Sequence, residues 1–126
     1  MLIIDMPVVF VSKTLFSGSA SLTVGTETTI LELVRDVSEQ EFVAEGYLDL
    51  SQFASSETLE IREYIDPDGT GYRLYSYVRL SFPVDAPLVW LHPKIIGQKY
   101  KITATQLTGT ARSIPYWIWK FVYGTV

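Results

Sequence analysis

The stretch Tyr64–Tyr75, "YIDPDGTGYRLY", holds the chain's nearest approach to metal chemistry. Asp66, Asp68 and Thr70, followed by Gly71, space oxygen donors as the first half of a calcium loop does. A complete loop needs about six oxygen ligands and closes on a bidentate carboxylate at its twelfth position. Counting from Asp66, that position is Tyr77, and the next carboxylate is Asp85. The flanks are not helical either. Leu59, Ile61 and Ile65 alternate with Glu60, Arg62 and Tyr64, and Tyr72, Leu74, Val78 and Leu80 alternate with Arg73, Tyr75, Tyr77 and Arg79. Period-two alternation on both sides of a Pro-Asp-Gly loop predicts a β-hairpin, with no metal site. With Ile65 opposite Tyr72, the outward pairs become Tyr64–Arg73, Arg62–Tyr75 and Glu60–Tyr77, where Arg beside Tyr allows cation–π contact. On this register Leu74 points into the core, so Leu74→Asp is expected to unfold the protein and Arg73→Asp is not.

Other residue types that do chemistry stand alone. His92, before Pro93, has no second histidine or cysteine with which to form a zinc site or a triad, and is expected at a strand end, bonded to backbone. Glu60 with Glu63, or Asp66 with Asp68, are the carboxylate pairs that glycoside hydrolysis would use, yet nothing singles one out as the proton donor. "TGTAR" (108–112) lacks a lysine at phosphate-loop spacing and reads as a turn. No catalytic residue, cofactor or metal ligand is assigned.

The aromatic residues remain. In "SIPYWIWKFVYGTV", Trp117, Trp119, Phe121 and Tyr123 line one strand face, while Tyr116, Ile118 and Val122 line the other, interrupted by Lys120. Such a strand is either central and buried on both sides, or shows an aromatic face that a subunit or a sugar ring covers. The contact candidates are therefore Trp117, Trp119, Phe121 and Tyr123, with Tyr64, Arg73 and Tyr75 of the hairpin, since Tyr and Arg are favoured at interfaces. If the aromatic face is an interface, Trp119→Ser or loss of residues 117–126 should give a folded but smaller species.

These residues need strands to position them. Gly, Pro, Ser and Asp punctuate the chain at short intervals, and the runs between them predict strands over 8–16, 19–24, 28–35, 42–50, 58–65, 72–82, 88–92, 100–107 and 113–123. The segment from Thr28 admits a helix as well. Thr29 and Glu32 have capping-box spacing, and Ile30, Leu33, Val34 and Val37 share a helical face. Eight or nine short strands predict an all-β, single-domain antiparallel β-sandwich, jelly-roll-like, spanning residues 1–126.

Composition agrees. Of 126 residues, 48% are apolar, 13% aromatic and 19% charged, which suits a packed β domain and excludes a disordered tail. No cysteine is present, which removes disulfides and thiolate sites. A net charge of −4 argues against a nucleic-acid partner. No run reaches the roughly 18–20 apolar residues of a membrane span. The opening stretch lacks a basic start, and Asp5 and Pro7 interrupt its apolar run, so no cleaved leader is expected. Residues 1–63 hold three basic and eleven acidic residues (net −8), and residues 64–126 seven basic and three acidic (net +4). Either sheets interleave the halves and neutralise them internally, or an acidic surface meets a basic one on a neighbouring copy.

The phrases "EGYLDLS", "TLEIREYIDPDGTGYRLY" and "PKIIGQKYKITATQLTGTARSIPYW" resemble a set of small, uncharacterised, mostly archaeal β-sandwich proteins from viral or proviral settings, the single jelly-roll virion proteins. The resemblance covers residues 45–117, with "VRDVSEQEFVA" as an insertion and "YWIWKFVYGTV" departing from a more polar ending. It implies a structural role in a particle and transfers no functional residue. The expected function is thus a non-enzymatic assembly protein, a virion component such as a minor capsid, spike-base or decoration subunit. Its partners would be further copies (a trimer or pentamer) or other virion proteins, and its location the virion. A carbohydrate-binding module using exposed Trp and Tyr is one alternative. A lipocalin-like carrier, which needs a closed barrel and a cavity, is another.

Overall fold

Alternation of apolar and polar residues, broken at turn-forming Gly, Pro and Asp, leaves each segment one face to bury, and two sheets face to face bury it. The computed structural model describes residues 8–125, with side chains over 12–123. Eight strands form: β1 (Val8–Ser21), β2 (Glu27–Val34), β3 (Phe42–Asp49), β4 (Thr58–Asp66), β5 (Arg73–Ser81), β6 (Leu88–Ile96), β7 (Lys99–Gln106) and β8 (Ser113–Thr125). They build two antiparallel four-stranded sheets, ordered β1-β8-β3-β6 and β2-β7-β4-β5. This is the expected all-β sandwich. Among the described residues there is no helix long and apolar enough to cross a membrane. The leader reading concerns residues 1–20, of which 1–7 lie outside the described residues and 8–20 belong to β1.

Between the sheets lie Phe42, Leu48, Leu59, Tyr100, Ile102 and Ile118, each almost wholly buried. Side chains fill this space and the two sheets stay separate, so the described residues do not form the closed barrel that a lipocalin-like carrier requires.

Three local expectations change. Residues 8–21 form one strand instead of two. Gly18 pairs with Tyr116 and does not break the run, because β8 is long enough to support it. Residues 27–34 are a strand, and the helical signal has a physical source. The β2–β7 ladder slips between Thr29 and Leu31, so Ile30 and Leu33, three apart, both turn inward, buried at 6% and 2% exposure. In the hairpin, Ile65 faces Arg73, not Tyr72, and a second irregularity at Glu63/Tyr64 leaves Tyr75 without an opposite residue. Arg62 consequently faces Tyr77 and Glu60 faces Arg79. The Arg–Tyr contact survives with a different partner, Arg62 lying 4.8 Å over the Tyr77 ring.

Strands from the acidic first half alternate with strands from the basic second half in both sheets. Glu63–Lys94 (2.8 Å), Glu57–Arg112 (2.9 Å) and Glu39–Lys120 (3.2 Å) each join an acid of the first half to a base of the second. Three of the eleven acids of the first half are in this way neutralised inside the fold by bases of the second.

Glu57 ties two loops at one end of the sandwich. It accepts from Arg112 Nε and Nη2, from Ala54 N (2.7 Å) and from Thr110 N (3.0 Å). The "TGTAR" turn wraps this carboxylate. Gly109 has φ +92°, and a Cβ there would lie 2.3 Å from Glu57 Oε2. The Arg112 hydrogen bonds, helped by those backbone N–H groups, hold the Glu57 carboxyl at about 2, below its ordinary 4.5. A depressed carboxyl stabilises the fold fully above its unfolded value and loses that contribution as pH falls through the folded one. The melting temperature should therefore drop between about pH 4.5 and about pH 2, less steeply in Glu57→Gln. Parallel curves for the two proteins would show that Glu57 is not linked to acid unfolding. Asp68, held at about 2 by Thr70 and Arg73, keeps part of the slope in the variant.

Candidate functional site

Both carboxylates of the Asp-Pro-Asp turn are engaged by the turn itself. Asp66 Oδ1 accepts from the N–H groups of Asp68 (3.2 Å) and Gly69 (2.7 Å), and Asp68 Oδ1 accepts from Thr70 N and Oγ1. Arg73 bonds back to Asp68 and Thr70 within the same turn. Glu60 and Glu63 stand on opposite faces of β4, Glu60 outward with Tyr77 and Arg62, Glu63 inward with Lys94, so they cannot flank one bond. His92 is mid-strand, not at a strand end, and its Nε2 meets the Tyr75 hydroxyl at 2.9 Å. Among the described residues no three His, Asp or Glu side chains gather as a metal group would require.

The two outer faces differ sharply. On the β2-β7-β4-β5 sheet the polar atoms satisfy one another. Tyr64 donates to Glu27 (2.8 Å), as does Thr103 (2.6 Å), and Tyr72 donates to Glu32 (2.6 Å). Lys101 lies 5.0 Å over the Tyr64 ring and 4.8 Å over Tyr72. The hydrogen bonds from Thr103 and Tyr64 lower the Glu27 carboxyl, while burial and the Glu27 bond raise the Tyr64 hydroxyl. Tyr64 thus belongs to a closed polar network on a solvated face.

The β1-β8-β3-β6 sheet carries an aromatic outer face. Register sets Ser17, Trp117, Tyr47 and Trp90 in one row across the four strands, and Leu15, Trp119 and Glu45 in the next. Lys13, Phe121, Val43 and Ile95 follow. β8 is central: its inward Ile114, Ile118 and Val122 are core, while outward Trp117 remains 38% exposed and Trp119, Phe121 and Tyr123 are half-buried. Tyr47 meets Trp119 edge-on at 6.3 Å and 87°. Between these rings and Trp90 runs a groove of about 270 Å³, lined also by Lys13, Glu45 and Phe121. Gly46 also lines it, and a Cβ there would sit 2.1 Å from the Trp117 carbonyl oxygen.

An open edge adjoins this face. Among the described residues, β5 and β6 each have a ladder neighbour on one side only. Among the described residues, seven of the thirteen exposed large apolar side chains lie on these two strands: Leu74, Tyr75, Tyr77, Val78, Leu88, Trp90 and Ile95. The opposite edge strand β1 instead exposes Ser12, Lys13, Thr14, Ser17 and Ser19 beside Leu15, a polar blunting of the kind that suppresses strand addition. Leu74 is 57% exposed, so the expectation that it enters the core does not hold; β5, with seven of nine residues exposed, overhangs the sandwich. Tyr75, His92 and Trp90 form a chain of rings, 5.9 Å and 6.3 Å between centroids, from the edge to the aromatic face.

Of the seven contact candidates, Trp117, Trp119, Phe121 and Tyr123 share the aromatic face, Tyr75 stands at the open edge, and Tyr64 and Arg73 are occupied elsewhere. Tyr47, Trp90, Glu45 and Lys13 were not singled out. Trp90 had a signal, an aromatic in phase with Leu88 and His92 on a short strand, but its neighbourhood depends on pairing between strands far apart in sequence.

No family model matches the chain, and no curated protein matches it. Among solved structures it is similar to a chain of Bacillus endospore appendages, described as a novel family of disulfide-linked pili. The TM-score is 0.49 and the identity 14%, over 97% of this chain and 92% of that one. It is also similar to the infectious bursal disease virus VP2 subviral particle (TM-score 0.45, 15% identity, 96% of this chain and 32% of that one). The Gt strain of that virus gives 0.38 and 15%, over 96% and 38%. These 126 residues contain no cysteine, so the disulfide linkage named for the appendages has no counterpart in them.

Proposed function

We propose that this chain is a non-enzymatic structural subunit that self-associates through the open edge of β5 and β6, as a virion component of the minor capsid, spike-base or decoration kind. The observation that carries the reading is the concentration of exposed apolar side chains on two unpaired edge strands. Edge strands offer unpaired N–H and C=O groups to another chain, and folds without such a use blunt them. Tyr75, Tyr77 and Trp90, about half exposed, offer roughly 300 Å² between them on side chains of 150–250 Å² each. The four aliphatic neighbours extend this towards the roughly 800 Å² per partner of a standard interface. The strand order reads as a jelly roll of two Greek keys, a plan that capsid and lectin domains use. That is analogy at the level of fold and names no partner. Edge meeting edge closes at two copies, and edge meeting another surface of the next copy closes as a ring, for which we propose three or five.

Light scattering over a concentration series tests this. The wild type should exceed the monomer mass, and Leu74→Asp with Val78→Asp should give a folded monomer with an unchanged melting temperature. A monomeric wild type at high concentration, or a double variant that associates as the wild type does, overturns the reading.

A further inference from the structure

We propose that the groove on the outer face of the β1-β8-β3-β6 sheet is a binding site for a neutral sugar, taking one pyranose ring. The groove's volume of about 270 Å³ corresponds to roughly nine waters, at about 30 Å³ each, and sits at the small end of ligand sites. That is room for one ring, not for an extended ligand. Its walls are aromatic, and the 87° angle between Tyr47 and Trp119 makes a corner instead of a flat plate. A pyranose ring presents C–H groups polarised positive by the neighbouring oxygens, and the negative face of an aromatic ring attracts them.

The polar groups narrow the choice. Elsewhere on the surface the charges beside rings are engaged, as Arg62, Lys101 and Glu27 show. In the groove, Glu45 and Lys13 have no hydrogen bond or ion pair among the described residues. They stand on β3 and β1, with β8 between them, Glu45 level with Trp119 and Lys13 level with Phe121; two strand spacings and a two-residue step along the strand put their backbones about 12 Å apart. A carboxylate only accepts and an ammonium only donates. An anionic ligand would leave Glu45 opposed, and a cationic ligand would leave Lys13 opposed. A neutral ligand carrying hydroxyls serves both, since each hydroxyl donates and accepts. The glycine in the lining lets β3 and β8 lie close beneath the groove: residue 46 shares the inward phase of Ile118 and Leu91, and a Cβ there would meet the Trp117 carbonyl at 2.1 Å. This site stands independently of the assembly reading: Trp90 is the one residue that the two surfaces share.

The test is tryptophan fluorescence titration of the full chain with methyl β-glucopyranoside and with N-acetylglucosamine, single-ring probes whose equatorial substituents leave flat C–H faces. Both the wild type and the Leu74→Asp, Val78→Asp variant are titrated, so that a groove covered by a second copy is still read. A saturable change is expected with at least one sugar. Glu45→Gln and Lys13→Ala, each with an unchanged melting temperature, should weaken it about tenfold or more, while Tyr77→Ala on the opposite sheet should leave it unaltered. No saturable change up to about 10 mM, an affinity weaker than a few kcal/mol of binding, in either protein overturns the proposal. Equal affinity in Glu45→Gln and the wild type overturns it too, since the sugar would then bind elsewhere.

Discussion

Replacing Lys94 with methionine is expected to lower the unfolding free energy by about 3–5 kcal/mol, because it strands the Glu63 carboxylate in the interior without its counter-ion. The Lys94 and Glu63 side chains are 3% and 7% exposed, with Nζ 2.8 Å from Oε2. The Tyr100 hydroxyl donates to the same oxygen at 2.6 Å, and burial together with that carboxylate pushes the hydroxyl well above its ordinary value. Lys94 Nζ makes no aligned hydrogen bond, but lies 5.3 Å over the Tyr100 ring. Domains of this size are stable by about 5–15 kcal/mol, so the loss should be plain in a urea midpoint. Adding Glu63→Leu to Lys94→Met should recover much of it, since an apolar pair of similar volume often replaces a buried ion pair at no cost. A single variant as stable as the wild type would mean that water reaches the pair.

Deleting residues 117–126 is expected to leave no folded species. Among the described residues β8 is the only ladder neighbour of β1, and it also pairs with β3, so its loss divides the first sheet. The deletion also removes Ile118 and Val122 from the core, and Lys120, whose Nζ donates to Val34 O (2.9 Å) and Glu39 Oε1 (3.2 Å). This reverses the expectation of a folded, smaller species, which would require β8 to lie at an edge. Amide dispersion in a proton NMR spectrum decides the matter: a dispersed spectrum from the truncated chain would show that the remaining strands fold without β8. Trp117→Ser, outward and already 38% exposed, should by contrast keep the fold.

What the sequence determined by itself was the fold class and most of the strands. Period-two alternation around Asp-Pro-Asp-Gly named the hairpin, and the lone His92, the missing carboxylate at Tyr77 and the absence of cysteine argued against a metal centre, because these are properties of neighbours along the chain. Glu63 was legible too, since it shares the inward phase of Leu59 and Ile61. Its partner was not. Lys94 turns inward only because His92 and Pro93 together oppose Glu45, a bulge between Gly46↔Leu91 and Ala44↔Lys94 that resets the phase. A bulge on β2 produced the false helical period, and another on β5 displaced the Arg–Tyr pairs. One extra residue inverts the faces that follow it, and such a residue is placed by a partner strand, not by its own neighbours. Which strands lie at edges was decided the same way. Leu74 looks like core in the alternating pattern, but the bulge at Tyr75 sets it opposite outward-facing Tyr64, and β5 lies at an edge, so it stays in water. The groove exists because register sets Tyr47 beside Trp90 and Glu45 beside Trp119, contacts between residues about forty to seventy-five positions apart that chain-local patterning cannot encode.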